Sequence, residues 1–205
     1  MKGFYQYTKD LSNTLNNLNI EVLDQLYLEI KKRINTNNSI YILGNGGSYS
    51  NASHIAGDYL KTISMLGAKL RISNLGDNGC FLTAASNDLS YEDSYTILFK
   101  SIVEKNDLII YLSGSGNSMN LVKCARLGKK VQDLYQVSIT AYNGGALSEI
   151  VDLSIHCKIS DMEIAEDCQL IIFHYLKQKI INEINYKDNN HRTKYMKRTM
   201  DDLVS

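Results

Sequence analysis

The sequence predicts an α/β fold, a mainly parallel sheet flanked by helices and preceded by an N-terminal helical extension. Three observations predict it. Short apolar runs of strand length alternate with segments of helical periodicity. Two of those runs end in small Gly/Ser/Asn loops that open helical segments, the arrangement of strand–loop–helix units joined by crossovers. Finally, composition does not shift and no linker interrupts the chain before its polar C-terminal end, so these units belong to one domain.

The elements follow in order. Residues 1–35 read as helix, with Tyr7, Leu11, Leu15 and Leu18 spaced by three or four, then a stronger stripe of Leu23, Leu26, Tyr27, Ile30 and Ile34. Ser39-Ile40-Tyr41-Ile42-Leu43 is a buried strand that runs into Gly44-Asn45-Gly46-Gly47-Ser48. Helix follows over roughly 49–62, then a short strand at Lys69–Ile72. Residues 78–103 are mainly helical, with a break at Asn87-Asp88. Asp107–Leu112 is the next buried strand, followed by Ser113-Gly114-Ser115-Gly116-Asn117-Ser118 and a helix over 118–130. Tyr135–Thr140 is a strand closed by Asn143-Gly144-Gly145, and Asp152–His156 is another. A long helix over 162–184 carries Ile164, Cys168, Ile171, Ile172, Tyr175, Ile180 and Ile184. The chain thus divides into a helical extension over 1–35, an α/β domain over 36–186 and a polar tail over 187–205, read as mobile or docked on a partner.

Composition narrows the function classes. The 205 residues suffice for one sizeable core, with 44% apolar and 21% charged side chains. The 22 Lys+Arg balance the 22 Asp+Glu, which argues against a strongly basic nucleic-acid binder and a charge-driven membrane protein. The start lacks an apolar signal region, and no run approaches the ~18 apolar residues of a membrane span, so a cytoplasmic protein is expected. Cys80, Cys124, Cys157 and Cys168 form no C-x-x-C pair and read as reduced thiols. The chain has no Pro and no Trp. Its turns are made by Gly, Asn and Ser instead.

The chemistry is expected at the carboxyl ends of the strands, where open α/β sheets bind ligands. Both Gly44–Ser48 and Ser113–Ser118 should lie on that edge. Glycine lets backbone amides approach an anion, a helix N-terminus adds unpaired N–H groups, and the hydroxyls of Ser48, Ser113, Ser115 and Ser118 add uncharged donors. Together they read as phosphate cradles, although each loop alone is equally a tight strand-to-helix turn. Neither is a P-loop or a dinucleotide fingerprint. His54 and Asp58 lie four apart, on one helix face, and suit either metal ligation or acid/base work. Glu166 and His174 lie eight apart on the last helix, about 12 Å along its axis, too far for both to ligate one metal within one chain. Either they serve different roles or they meet His54 and Asp58 through two chains.

These motifs, with Ser86-Asn87-Asp88 between them, resemble the sugar isomerase (SIS) domain family and, within it, the phosphoheptose isomerases. The resemblance runs in order over about residues 5–182. It implies a flavodoxin-like sandwich, a homotetramer with interfacial active sites, and isomerisation of sedoheptulose 7-phosphate to D-glycero-D-manno-heptose 7-phosphate through an enediol, toward surface heptose. It implies substrate contacts at Asn45, Gly46, Gly47, Ser48, Asn87, Asp88, Ser113, Gly114, Ser115, Ser118 and Glu166. It places one zinc per subunit on His54, Asp58, Glu166 and His174, with Asp58 as base, His174 as its acid partner and Glu166 as a substitute base. Asp58 stands where the family has Glu, Glu166 where it has Gln, Gly114 where it has Thr, and Ile164 where it has Arg. Two other readings remain open: an isomerase of another sugar phosphate, and a non-catalytic SIS scaffold or replication regulator.

Overall fold

The computed structural model describes residues 3–187. Two helices lead, α1 (Phe4–Asn16) and α2 (Ile20–Lys31). They part at Asn17–Asn19, where the Asn19 side chain caps α2 by accepting the Glu21 N–H at 2.9 Å. The remaining elements are β1 (Ser39–Gly44), α3 (Gly46–Met65), β2 (Arg71–Asn74), α4 (Gly79–Asp88), α5 (Tyr91–Ile102), β3 (Leu108–Ser113), α6 (Met119–Gly128), β4 (Tyr135–Thr140), α7 (Gly145–Ile150), β5 (Leu153–His156) and α8 (Met162–Lys187).

All five strands are parallel, in the order β2-β1-β3-β4-β5. This is the doubly wound, flavodoxin-like order, and its direction of winding reverses between β1 and β3. The sheet is buried on both faces. Along β3, Leu108, Ile110 and Leu112 enter one core with α2, α3 and α8, while Ile109 and Tyr111 enter a second with α5 and α6. The continuous apolar run of β3 is the consequence: every residue from Leu108 to Ser113 is buried.

Several expectations shift. The second strand runs two residues later than Lys69–Ile72, because pairing begins at Ser39↔Arg71. The helix expected from residue 49 already starts at Gly46, so the first loop is a single residue, Asn45, plus a helix's first turn. The break within 78–103 falls at Leu89-Ser90, where Ser90 caps α5 through a 3.1 Å bond from the Asp93 N–H. A six-residue helix, α7, follows Asn143-Gly144 and was not expected. The N-terminal segment packs on its own chain: Leu23, Leu26, Tyr27 and Ile30 sit in the larger core, and the Tyr7 hydroxyl reaches Asp167 on α8 at 2.7 Å. The tail read over 187–205 lies outside the described residues, apart from Lys187 at the end of α8. The four cysteines are free thiols, three of them buried. Among the described residues no helix is long and apolar enough to cross a membrane.

Candidate functional site

The reversal between β1 and β3 places two strand-to-helix junctions side by side at the carboxyl edge. They are built differently. At the first, β1 ends at Gly44 and α3 begins at Gly46. Asn45 exchanges two amide bonds with Asn120 of α6, at 3.0 and 2.9 Å, and its Oδ1 also accepts the Tyr91 hydroxyl at 2.7 Å. The Glu166 carboxylate lies against the bare Cα of Gly47, where a Cβ would come within 2.1–2.4 Å of its oxygens. It accepts the backbone N–H of Ser48, so the N-terminus of α3 already holds a negative charge. Burial pushes this carboxyl above the ordinary Glu value, Glu163 and Asp167 add to that rise, and the Ser48 N–H only partly offsets it.

The Ser48 hydroxyl is engaged as well. It accepts a 3.1 Å bond from buried Gln169, whose Oε1 accepts from Asn51 at 3.0 Å; Asn51 also reaches the Glu166 carbonyl at 2.9 Å. These bonds fasten α3 to α8. A phosphate on this helix terminus would therefore meet a resident carboxylate, which argues against the first junction as a phosphate cradle.

At the second junction the fastening is backbone and hydroxyl. Ser113 and Ser115 accept N–H bonds from Gly116 (3.1 Å) and Asn117 (3.2 Å). Asn117 accepts the Ala146 N–H at 2.9 Å, and the Gly116 carbonyl accepts the Leu147 N–H at 3.0 Å, tying the loop to α7. Gly116 has φ +67°, and a Cβ there would sit 2.0 Å from the Gly144 carbonyl oxygen, so only glycine fits. Ser118 occupies the N-cap of α6 without a side-chain capping bond. Gly114 faces Met162 of α8: a Cβ would meet its sulfur at 2.4 Å, so Met162 fills the space a larger residue would need.

Two turns further along α3 a second cluster forms. The Nε2 atoms of His54 and His174 lie 3.3 Å apart, their rings edge-to-face at 5.5 Å between centroids. Ligand atoms of His54, Asp58 and His174 all lie within 4.8 Å of one another. The helices that carry them are locked by the buried Tyr59 hydroxyl, which donates to the Phe173 carbonyl at 2.7 Å. Burial disfavours the charged form of His174, and Lys177 and His54 add to this, so its pKa falls below the ordinary histidine value. For Asp58, burial alone would raise the pKa, but bonds from Lys177 and Lys61 outweigh it and hold the carboxyl below its ordinary value.

One chain therefore unites three of the four expected metal ligands. Glu166 is apart from them, near the start of α8 and against Gly47, which corrects any reading of all four as one intrachain set. Asn87 and Asp88 end α4 on the exposed surface, where their side chains bond each other at 3.0 Å. Sequence reasoning missed Tyr91, Asn120, Asn51 and Gln169, whose long-range bonds leave no local pattern. It also missed Lys177, which donates to Asp58 and could have been found as the i+3 neighbour of His174.

Known proteins share both the pattern and the fold. The SIS domain family profile matches residues 3–141. A phosphoheptose isomerase from Thermodesulfovibrio yellowstonii is 29% identical over 158 residues, covering 77% of this chain and 78% of that relative. One from Helicobacter pylori is 26% identical over 187 residues, covering 91% and 96%. Among solved structures, the phosphoheptose isomerase of Neisseria gonorrhoeae superposes with a TM-score of 0.76 at 18% identity, covering 87% of this chain and 95% of that one, a likeness of fold.

Proposed function

The chain belongs to the SIS domain family, and from that premise we propose that it is a sugar-phosphate isomerase that converts sedoheptulose 7-phosphate to D-glycero-D-manno-heptose 7-phosphate through an enediol. The observation that carries this reading is the pairing of a hydroxyl-rich anion loop, Ser113–Ser118, with an ionised carboxylate flanked by two imidazoles. Phosphate recognition needs donors without a competing anion, and the second junction supplies them. Proton transfer between adjacent carbons needs a base and an acid. Asp58, held ionised, takes a proton from C1 of the ketose. His174 gives a proton to the C2 oxygen, forming the enediol; Asp58 then returns its proton to the C2 carbon while His174 takes the C1 hydroxyl proton, which leaves the aldose and restores both groups. Asn45, Gly46 and Gly47 bound the sugar, and exposed Asn87 and Asp88 approach it from the end of α4. Glu166 faces the sugar from Gly47 as a second carboxylate and, in place of an amide, shapes which sugar is accepted.

Two imidazoles and a carboxylate are a zinc-type donor set, and their ligand atoms are close enough to share one ion. Zinc bound by His54, Asp58 and His174 would supply Lewis-acid polarisation of the substrate carbonyl. Glu166 joins that set only from another subunit.

Geometry supports interfacial sites in a homotetramer. Asp58 lies ten residues beyond Ser48, about 15 Å along α3, so the trio stands well away from its own chain's first junction. Exposed Leu60, Ile171 and Tyr175 lie near the trio on α3 and α8 and offer apolar surface for that contact. A charged sugar phosphate as substrate supports a cytoplasmic setting.

The test is to incubate the purified protein with sedoheptulose 7-phosphate, with and without zinc, and follow aldose formation beside shorter ketose phosphates. Conversion of the heptulose supports the proposal. Conversion of only a shorter sugar reassigns the substrate. No conversion of any of them, with the oligomer retained, favours a scaffold.

A further inference from the structure

Asp58 has two lysines beside it, and they differ in standing. Lys61, on the same helix, approaches Oδ1 at 3.4 Å with its side chain 64% exposed, an ordinary surface pair. Lys177 reaches across from α8, one turn beyond His174, and donates to Oδ2; its side chain is 15% exposed and that of Asp58 14%. The same carboxylate is one of three groups whose ligand atoms lie within 4.8 Å of one another.

An ammonium on this carboxylate repels a divalent cation bound to the same group, and the repulsion is weakly screened where both partners are mostly buried.

Resting on the reading of His54, Asp58 and His174 as a metal-capable set, we propose that Lys177 is a competing counter-ion that sets the site's metal affinity. The Lys177 ammonium weakens the hold of Asp58 on a divalent cation, and the ion binds more tightly once that charge is moved away or removed. Without the ion, Lys177 keeps the carboxylate oriented toward the imidazoles. Metal occupancy in this chain is thus a contest between one lysine and one ion over a single side chain.

The experiment measures metal binding directly. The full chain, stripped with a chelator, is titrated at fixed pH with zinc against a chromophoric chelator, and with cobalt(II) through its visible absorption. Lys177→Met, which keeps the stem and removes the charge, tightens binding by at least about tenfold. Lys177→Gln does the same by a different neutral side chain, in case Met disturbs folding, and a thermal melt checks each variant. Lys177→Arg keeps the charge and leaves the affinity within about threefold of the parent, as does Lys61→Met at the exposed pair. Equal or weaker binding by both neutral variants overturns the role of Lys177 while leaving the metal set standing. Absence of binding in the parent and in both neutral variants overturns the metal set itself, and this proposal with it.

Discussion

The two strand-to-helix junctions look alike as sequence, Gly-Asn-Gly-Gly-Ser and Ser-Gly-Ser-Gly-Asn-Ser, yet they do different work. The first holds a carboxylate, Glu166, on its helix N-terminus and commits its serine to a buried amide. Among the described residues the bonds of the second run to backbone, hydroxyl and amide groups, and it is stitched to α7 through the Gly116 carbonyl and the Asn117 side chain. Helix N-termini favour anions, so a site that already carries one has spent that preference. On the proposed reading, phosphate goes to the second junction and the first anchors α3, the helix that carries His54 and Asp58 toward His174.

The largest expected effect tests that division of labour. Asp58→Asn lowers kcat by at least about a hundredfold, while competitive inhibition by inorganic phosphate stays unchanged, because the base acts at C1 and the phosphate sits at C7, the other end of the sugar. Steady-state kinetics with phosphate as inhibitor reads both numbers. A matching loss of phosphate affinity would merge the two regions that the structure keeps apart.

Glycine replacements come next. Gly116→Ala places a Cβ 2.0 Å from the Gly144 carbonyl at a positive φ, and backbone cannot step aside, so KM rises by about tenfold or more and the melting temperature falls. Gly47→Ala collides only with the end of the Glu166 side chain, which can swing away, and its effect on KM is several times smaller. Hydroxyl deletions refine the contrast: Ser115→Ala weakens phosphate inhibition about fivefold, and Ser48→Ala leaves it within twofold.

The smallest effect concerns stability. The folded-state pKa of Glu166 is raised, so its contribution is intact below the ordinary Glu value and is lost as pH rises through the folded value. Glu166→Gln therefore melts a few degrees higher than the parent at pH 7, and the gap closes as pH falls toward 4.5. Scanning calorimetry at the two pH values reads it. An equal gap at both would detach the effect from the carboxylate's charge.

Much of this was legible from the sequence for physical reasons. Strands buried on both faces must be continuous apolar runs, which is why β1, β3 and β4 were found nearly to the residue. His54 and Asp58 share a face by helix geometry alone, and their meeting with His174 follows once α3 and α8 pack together. What escaped was set by contacts distant in sequence. The edge strand β2, with one neighbour and a short pattern, slipped by two residues. Helix α7 has six residues, too few to show a period. Nothing local announces that Glu166 folds onto Gly47, and the only local trace of Lys177 is its place three residues beyond His174. The two junctions were indistinguishable until α8 supplied Glu166 and Gln169 to one of them.

The central claim is that Asp58 moves a carbon-bound proton of a sugar phosphate held at the second junction. The most direct measurement is isotope exchange: the protein is incubated with sedoheptulose 7-phosphate in deuterium oxide and both sugars are analysed by NMR and mass spectrometry. Deuterium at C1 of recovered ketose and C2 of the aldose, present with the parent and lost with Asp58→Asn, is the predicted result. No incorporation by the parent, or equal incorporation by Asp58→Asn, would contradict it.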